Sequence, residues 1–376
     1  MRRSLLLPLA ATLAACGGSS STPVATATPS PRASSTAAAK TTATPAATAT
    51  ATAARAPARR TIATGLHVPW GIAFLPNGDA LVSERTTGTI LRIPRGGGTP
   101  RTAMVVPGVN VNAGEGGLLG LAVSPGYAAD RLVYAYFTSA TDNRIVRFKL
   151  GGELHPILTG LRAGVIHNGG RIAFGPDGKL YAGVGETGDG ALAQDRGALN
   201  GKILRMNPDG SVPSGNPFKG SLVWTWGHRN VQGLAWDRSG RLWASEFGQN
   251  AFDEVNLIRK GRNYGWPVVE GKGDTQGGRF TNPLVTWTTA ESSPSGAAIV
   301  GSTLYVAALQ GQCVWRIPLR GASLGTPAKL LAGRYGRIRT IVPAPDGTIW
   351  VATSNRDGRG SPRPGDDRIV ALRVSS

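Results

Sequence analysis

Cysteine is scarce in this 376-residue chain, with only Cys16 and Cys313 present. Cys16 lies in the leader described below, so the remainder holds one thiol and no internal disulfide can staple it. No Cys-x-x-Cys or His-Glu-x-x-His spacing occurs, which excludes the common zinc motifs. Histidine is confined to His67, His155, His167 and His228. No apolar run reaches the roughly 18 residues that a membrane-spanning helix needs. Glycine and proline are abundant instead, at 53 and 26 residues. About a fifth of the chain is therefore helix breakers, against roughly 12% in ordinary globular proteins. Long helices do not fit under that load, and the absence of a Gly-X-Y period excludes collagen.

The N-terminus is a different kind of sequence. Arg2 and Arg3 precede the apolar run Leu5–Ala11, and small residues lead to Cys16. A basic start, a short apolar stretch and small residues read as a secretory signal peptide over residues 1–15. Leu13-Ala14-Ala15-Cys16 resembles the lipobox of bacterial lipoproteins, which implies that Cys16 is acylated and becomes the new N-terminus. Several acyl chains, at about 0.8 kcal/mol per buried CH₂, hold firmly. Residues 16–60 then run as an Ala/Thr/Ser/Pro-rich stretch without acids or aromatics. Such a segment cannot bury enough surface to order itself and is read as a stalk. The expectation is an exported protein, periplasmic or on the outer cell surface, that meets the membrane by its lipid anchor only.

The domain expected over residues 61–376 keeps 34 of the 41 basic residues and all 22 acidic ones, a net charge of +12. A basic domain suits a nucleic acid, a membrane surface or an anionic ligand. Export argues against nucleic acid. An anionic small ligand and a merely solvated, arginine-rich surface both stay open.

A repeat organises that domain. An apolar position, a Gly- or Pro-containing turn and an alternating strand recur at Phe74–Ser83, Val123–Tyr136, Phe174–Gly183, Trp236–Ser245, Ile299–Ala307 and Pro343–Ala352. The strand-opening residues Leu81, Leu132, Leu180, Leu242, Leu304 and Ile349 are spaced by 51, 48, 62, 62 and 45. Asn-Gly, Asp-Gly or Ser-Gly joins most of the paired runs, which is a hairpin signal. A further strand follows each copy, as in Thr89–Ile93 and Lys202–Met206. Six such units, each of three or four strands, predict an all-β, six-bladed β-propeller. The long period argues against a β-sandwich. The run from Thr61 to Leu66 is expected to supply the outer strand of the last blade.

Four loops carry candidate chemistry. His167, beside Asn168, Gly169 and Gly170, offers a general base where backbone can approach a ligand. Arg229, Asn230 and Gln232 offer dense hydrogen bonding, and arginine is the natural partner of a carboxylate or developing oxyanion. Ser245–Asn256 supplies Glu246, Asp253 and Glu254 with backbone carbonyls near a glycine, oxygens a hard cation accepts. Arg337 and Arg339, two apart in a strand, share a face that suits a polyanionic ligand. Taken singly, each has a structural alternative: an exposed histidine, a blade-bridging arginine, an edge strand.

As an ordered set the motifs are specific. Pro69–Phe74, Gly114–Gly120, His167–Arg171, Gly175–Tyr181, Gly227–Asn230, Asp253–Asn256, Asn263–Pro267 and Thr353–Gly360 together resemble the soluble pyrroloquinoline quinone (PQQ)-dependent glucose/aldose sugar dehydrogenases over about residues 62–374. The resemblance implies a PQQ- and Ca²⁺-dependent oxidation of aldoses at the anomeric carbon to lactones. Electrons would pass to an external acceptor, a quinone or a cytochrome. It implies His167 as the base, Arg229 stabilising charge on the quinone oxygen, and Asn230 beside it. It places Glu115, Trp287, Thr289 and Gln310 against cofactor or substrate, and Arg337 and Arg339 on the PQQ carboxylates. Gly248 and Gln249 would offer carbonyls to Ca²⁺, and Asp253, Glu254 and Tyr264 would fall at a second, structural calcium site.

The chain departs from the family pattern at four of these positions. Val231 and Gln249 stand where proline is usual, Gln310 where a cation is common, and Glu186 where a shorter Asp sits beside the base. Two other functions fit an exported propeller: a calcium-dependent hydrolase such as a lactonase, and a binding propeller without turnover. The first should ring one metal with carboxylates on the axis, whereas the loop candidates here are His, Arg and backbone.

Overall fold

The Gly-containing pairs of the repeat turn as expected in the computed structural model, which describes residues 58–374. Leu75 donates to Asp79 O and Gly78 to Leu75 O, and the same pair of bonds recurs at Gly175–Lys179, Asp237–Arg241 and Ala344–Thr348. Gly78, Gly178, Gly240 and Gly347 hold φ of +88°, +68°, +75° and +79°, backbone that a β-carbon disfavours. The second copy departs: a short helix, Tyr127–Asp130, replaces the tight turn.

Each copy builds one antiparallel blade. Blade 1 runs Pro69–Phe74, Ala80–Glu84, Thr89–Ile93 and Arg101–Val105. Blade 2 runs Leu118–Val123, Leu132–Thr138, Asn143–Lys149 and His155–Leu161. Blade 3 runs Ile172–Phe174, Leu180–Val184, Lys202–Met206 and Val223–Trp226. Blade 4 runs Val231–Trp236, Leu242–Glu246, Phe252–Ile258 and Val285–Thr288. Blade 5 begins Pro294–Val300, Thr303–Ala308 and Cys313–Arg320, with the short Ser323–Leu324 and Ala328–Leu330 outside them. Blade 6 takes Ile338–Pro343, Ile349–Thr353 and Ile369–Leu372, and its outer strand comes from the other end of the chain, Arg59–Ala63.

That last pairing closes the ring, as the sequence predicts, though the strand starts at Arg59 rather than Thr61 because Arg59 and Arg60 pair with Leu372 and Ala371. The expected signal peptide, Cys16 and nearly all of the expected stalk lie outside the described residues.

Glycines let the first strands of neighbouring blades meet at the axis. A β-carbon at Gly71 would come within 2.8 Å of Leu119 O, and one at Gly120 would run into Gly170 O. Aromatic pairs hold the blades farther out: Phe74 on Trp350, Phe174 on Tyr134 and Trp236 on Tyr181, at 4.9, 5.1 and 5.1 Å between ring centres. Such pairs add about 0.5–1.5 kcal/mol each beyond their buried area. Among the described residues no helix is long and apolar enough to cross a membrane.

Antiparallel order decides where the loops go. The link from second to third strand and the link from one blade to the next emerge at the same end of the ring. The glycine hairpins lie at the opposite end.

Candidate active site

All six blades contribute to one cavity of about 590 Å³ at the end that carries those links. His167 lies between blades 2 and 3, with φ of +54°. Its backbone N–H donates to Glu115 Oε2 at 3.0 Å, and its ring Nδ1 meets Glu186 Oε1 at 2.6 Å. Glu186 is buried, so its longer side chain reaches the base without opening the site. Gly185 allows this approach, because a β-carbon there would strike the His167 carbonyl. With Nδ1 committed to a carboxylate, the other ring nitrogen, Nε2, has no protein partner among the described residues. It is therefore free to take a proton from a bound ligand.

The facing wall is cationic. Arg337 Nε and Nη2 both lie 3.0 Å from Asp357 Oδ2, and Arg339 Nη2 lies 3.5 Å from the same oxygen. Arg339 Nη1 also donates to Gln232 Oε1 at 2.8 Å. Burial lowers the Arg339 guanidinium to about 9. Burial would raise the Asp357 carboxyl, but the two arginines outweigh it and hold it below the usual range. Arg85 joins this wall, and Arg359 reaches across to Glu115 Oε1 at 2.7 Å. Burial also pushes the Glu115 carboxyl upward, and the His167 N–H and Arg359 overcome it. Arg85, Arg229 and Arg339 each keep a buried Nε with no partner among the described residues. Arg85, Arg229, Arg337, Arg339 and Arg359 all border the cavity, and that concentration of guanidinium charge suits an anionic occupant.

Arg229 and Asn230 enter from the link between blades 3 and 4. Arg229 N–H donates to Glu246, its guanidinium lies over the Trp266 ring, and Asn230 Oδ1 accepts from Gly169 N–H at 3.0 Å. Gly248 and Gln249 line the cavity from blade 4. Among the described residues no donor claims their carbonyl oxygens. Asp253 borders the same space, accepting from Gly248 and Ser293 N–H groups at 3.0 and 2.6 Å. Burial pushes it up to about 6.

Eleven of the expected site residues thus share one cavity: Glu115, His167, Arg229, Asn230, Gly248, Gln249, Asp253, Thr289, Gln310, Arg337 and Arg339. Three do not. Trp287 sits on the outermost strand of blade 4, stacked on Trp315 at 5.0 Å. That strand is too far from the axis, and only Thr289, just past its end, reaches the cavity. Glu254 follows Asp253 in a strand, so it points to the opposite face. There it accepts from Gly271 N–H and Asn256 Nδ2 at 2.7 and 2.9 Å, and burial beside Glu246 pushes it up to about 8. The Tyr264 hydroxyl donates to Leu257 O at 2.7 Å. The side chains of Asp253, Glu254 and Tyr264 therefore do not converge, and among the described residues no group of three acidic, His or Cys side chains forms a metal cluster.

A sequence profile of the glucose/sorbosone dehydrogenase family matches residues 66–361. The chain belongs to that family. It is 53% identical to the PQQ-bound aldose sugar dehydrogenase of Streptomyces coelicolor, with a TM-score of 0.81 over 85% of this chain and all of that one. It is 30% identical to aldose sugar dehydrogenase YliI of Escherichia coli K12, over 77% of this chain and 88% of that protein. It is 35% identical to quinoprotein glucose dehydrogenase B of Acinetobacter calcoaceticus, spanning 55% of that protein's length.

In this member of the glucose/sorbosone dehydrogenase family, sequence alone did not single out Arg85, Asp357 and Arg359, which also line the cavity. Asp357 and Arg359 stand inside a quoted motif, Thr353–Gly360, and their type and spacing were the available signal. Arg85 directly follows a strand, as many surface arginines do. Only ring closure brings it to Asp357, where its Nη2 donates to the backbone oxygen at 3.4 Å.

Proposed function

We propose that this protein oxidises aldose sugars at the anomeric carbon with PQQ and Ca²⁺, passing electrons to an external quinone or cytochrome. One observation carries the reading: a histidine fixed at Nδ1 and free at Nε2 opens onto a cavity whose other wall is lined by arginines. The residues present fit the cofactor. PQQ has three carboxylates, and Arg337 and Arg339 would hold them through charge-assisted bonds. The unclaimed carbonyls of Gly248 and Gln249 are the hard oxygen donors Ca²⁺ takes.

When bound, PQQ with its Ca²⁺ supplies an electrophilic two-electron acceptor for hydride. The chain supplies the rest. His167 Nε2 takes the proton of the anomeric hydroxyl as hydride leaves the same carbon, and Glu186 holds the ring and stabilises its charged form. Arg229 would place positive charge near the quinone oxygen, and Asn230, Glu115, Thr289 and Gln310, which line the same cavity, would border cofactor and sugar. We further propose that the chain is exported and lipid-anchored at Cys16, on the strength of the Leu13–Cys16 pattern.

The test is reconstitution. Apo-protein titrated with PQQ in Ca²⁺ should give saturable, aldose-dependent dye reduction that a chelator removes and Ca²⁺ restores. PQQ binding without any sugar-dependent reduction would instead make this a binding propeller. Failure to bind PQQ would overturn the reading.

A further inference from the structure

Glu270 does something that neither its type nor its spacing announces. Its Oε1 accepts from four consecutive backbone N–H groups, those of Gln249, Asn250, Ala251 and Phe252, at 2.6, 3.1, 3.1 and 3.2 Å. Successive N–H groups gathered on one oxygen form an anion-binding concavity, and here the anion is the protein's own carboxylate. The next residue, Gly271, is itself fixed, donating to the buried Glu254 at 2.7 Å.

The consequence follows from peptide planarity. In a trans peptide the N–H and the preceding C=O lie in one plane and point in opposite directions. When Gln249 and Asn250 turn their N–H groups onto Glu270, the carbonyls of Gly248 and Gln249 must point away from it. Those two residues line the cavity, and their oxygens are unclaimed among the described residues. Gln249 lacks the ring by which a proline would fix φ, so the backbone of this loop depends on an outside restraint.

We propose that Glu270 is a positioning residue that aims the Gly248 and Gln249 carbonyls at the calcium ion. This inference rests on the reading of the cavity as a PQQ–calcium site. Outer-shell partners of metal ligands typically control affinity by about 10- to 100-fold. Glu270 acts through charge-assisted hydrogen bonds, so its reach matters together with its charge.

The experiment measures the Ca²⁺ concentration that half-saturates PQQ binding, read from cofactor absorbance on apo-protein without sugar. The parent is compared with Glu270→Leu, Glu270→Asp and Glu270→Gln, each checked for folding by circular dichroism and melting. Leu removes the acceptor and Asp withdraws it from the loop, so both should raise the requirement by about 10- to 100-fold. Gln keeps an oxygen in reach but loses the charge, so it should raise the requirement less than Leu or Asp does. A merely structural role would lower melting in all three without moving the calcium requirement. If Glu270→Leu does not fold, the Asp and Gln variants decide. Equal requirements in every folded variant would overturn the inference and leave the site reading standing. A parent protein that binds PQQ without any Ca²⁺ dependence would overturn both.

Discussion

Two histidines in successive blades sit in the same local arrangement and face opposite fates. His167 enters blade 3 with Nδ1 at 2.6 Å from Glu186, and His228 enters blade 4 with Nδ1 at 2.8 Å from Glu246. Each glutamate lies at or just past the end of its blade's second strand. The difference is at the other ring nitrogen. His228 Nε2 meets Thr225 Oγ1 at 2.9 Å, and its ring stacks on Tyr264 at 4.7 Å, fully buried. His167 has no such partner and opens onto the cavity. A His–Glu pair orients an imidazole; an unpartnered second nitrogen makes it a base. Blade 4 uses the device to hold a loop, and in blade 3 it leaves Nε2 open to the cavity, where the proposed base would act.

The largest expected effect is at the open pair. His167→Ala should lower turnover by about 10²–10⁴-fold while PQQ still binds, because general-base loss has that size. Steady-state dye reduction beside a PQQ titration checks it. Glu186→Gln comes next. The ring keeps its place but loses the carboxylate that fixes its tautomer, so kcat should fall by about 10- to 100-fold, with KM for sugar little changed. Arg339→Ala separates binding from proton transfer. It removes a charge-assisted bond of about 1.5–3 kcal/mol, so PQQ affinity should fall by one to two decades and excess PQQ should restore turnover. Equal reconstitution at the parental PQQ concentration would show that the arginine wall does not hold the carboxylates. The smallest effect on activity belongs to the closed pair. His228→Ala leaves Thr225 Oγ1 and Glu246 Oε2 without their partner in the interior and should cost about 1–3 kcal/mol of stability, seen as a lower melting temperature. Its kcat at saturating PQQ should stay near the parent value.

The same topology explains what was readable beforehand. Hairpin glycines such as Gly78 and Gly347 repeat and punctuate, so the blades and their closure were visible in the sequence. Those turns lie at the end of the ring away from the cavity. The site is built from the other links, where the blades add different residues without a repeating pattern. His167, Arg229, Arg337 and Arg339 were legible because each sits in a dense local motif. Arg85 was not, because its partner Asp357 lies 272 residues away, and Glu270 was not, because no motif marks a carboxylate that reaches back to the Gln249–Phe252 loop. Trp287 was misplaced for a related reason. Local sequence gives strand parity but not distance from the axis, and an outermost strand cannot reach the channel.

The most direct test of the account is a single-turnover comparison of the two histidines. Parent, His167→Ala and His228→Ala proteins are loaded with PQQ and Ca²⁺, mixed with excess aldose, and the reduction of bound cofactor is followed by absorbance. The account predicts parental rates for His228→Ala and a loss of about 10²–10⁴-fold for His167→Ala. Parental reduction by His167→Ala would contradict it, because proton removal would then not depend on the nitrogen that the fold leaves free.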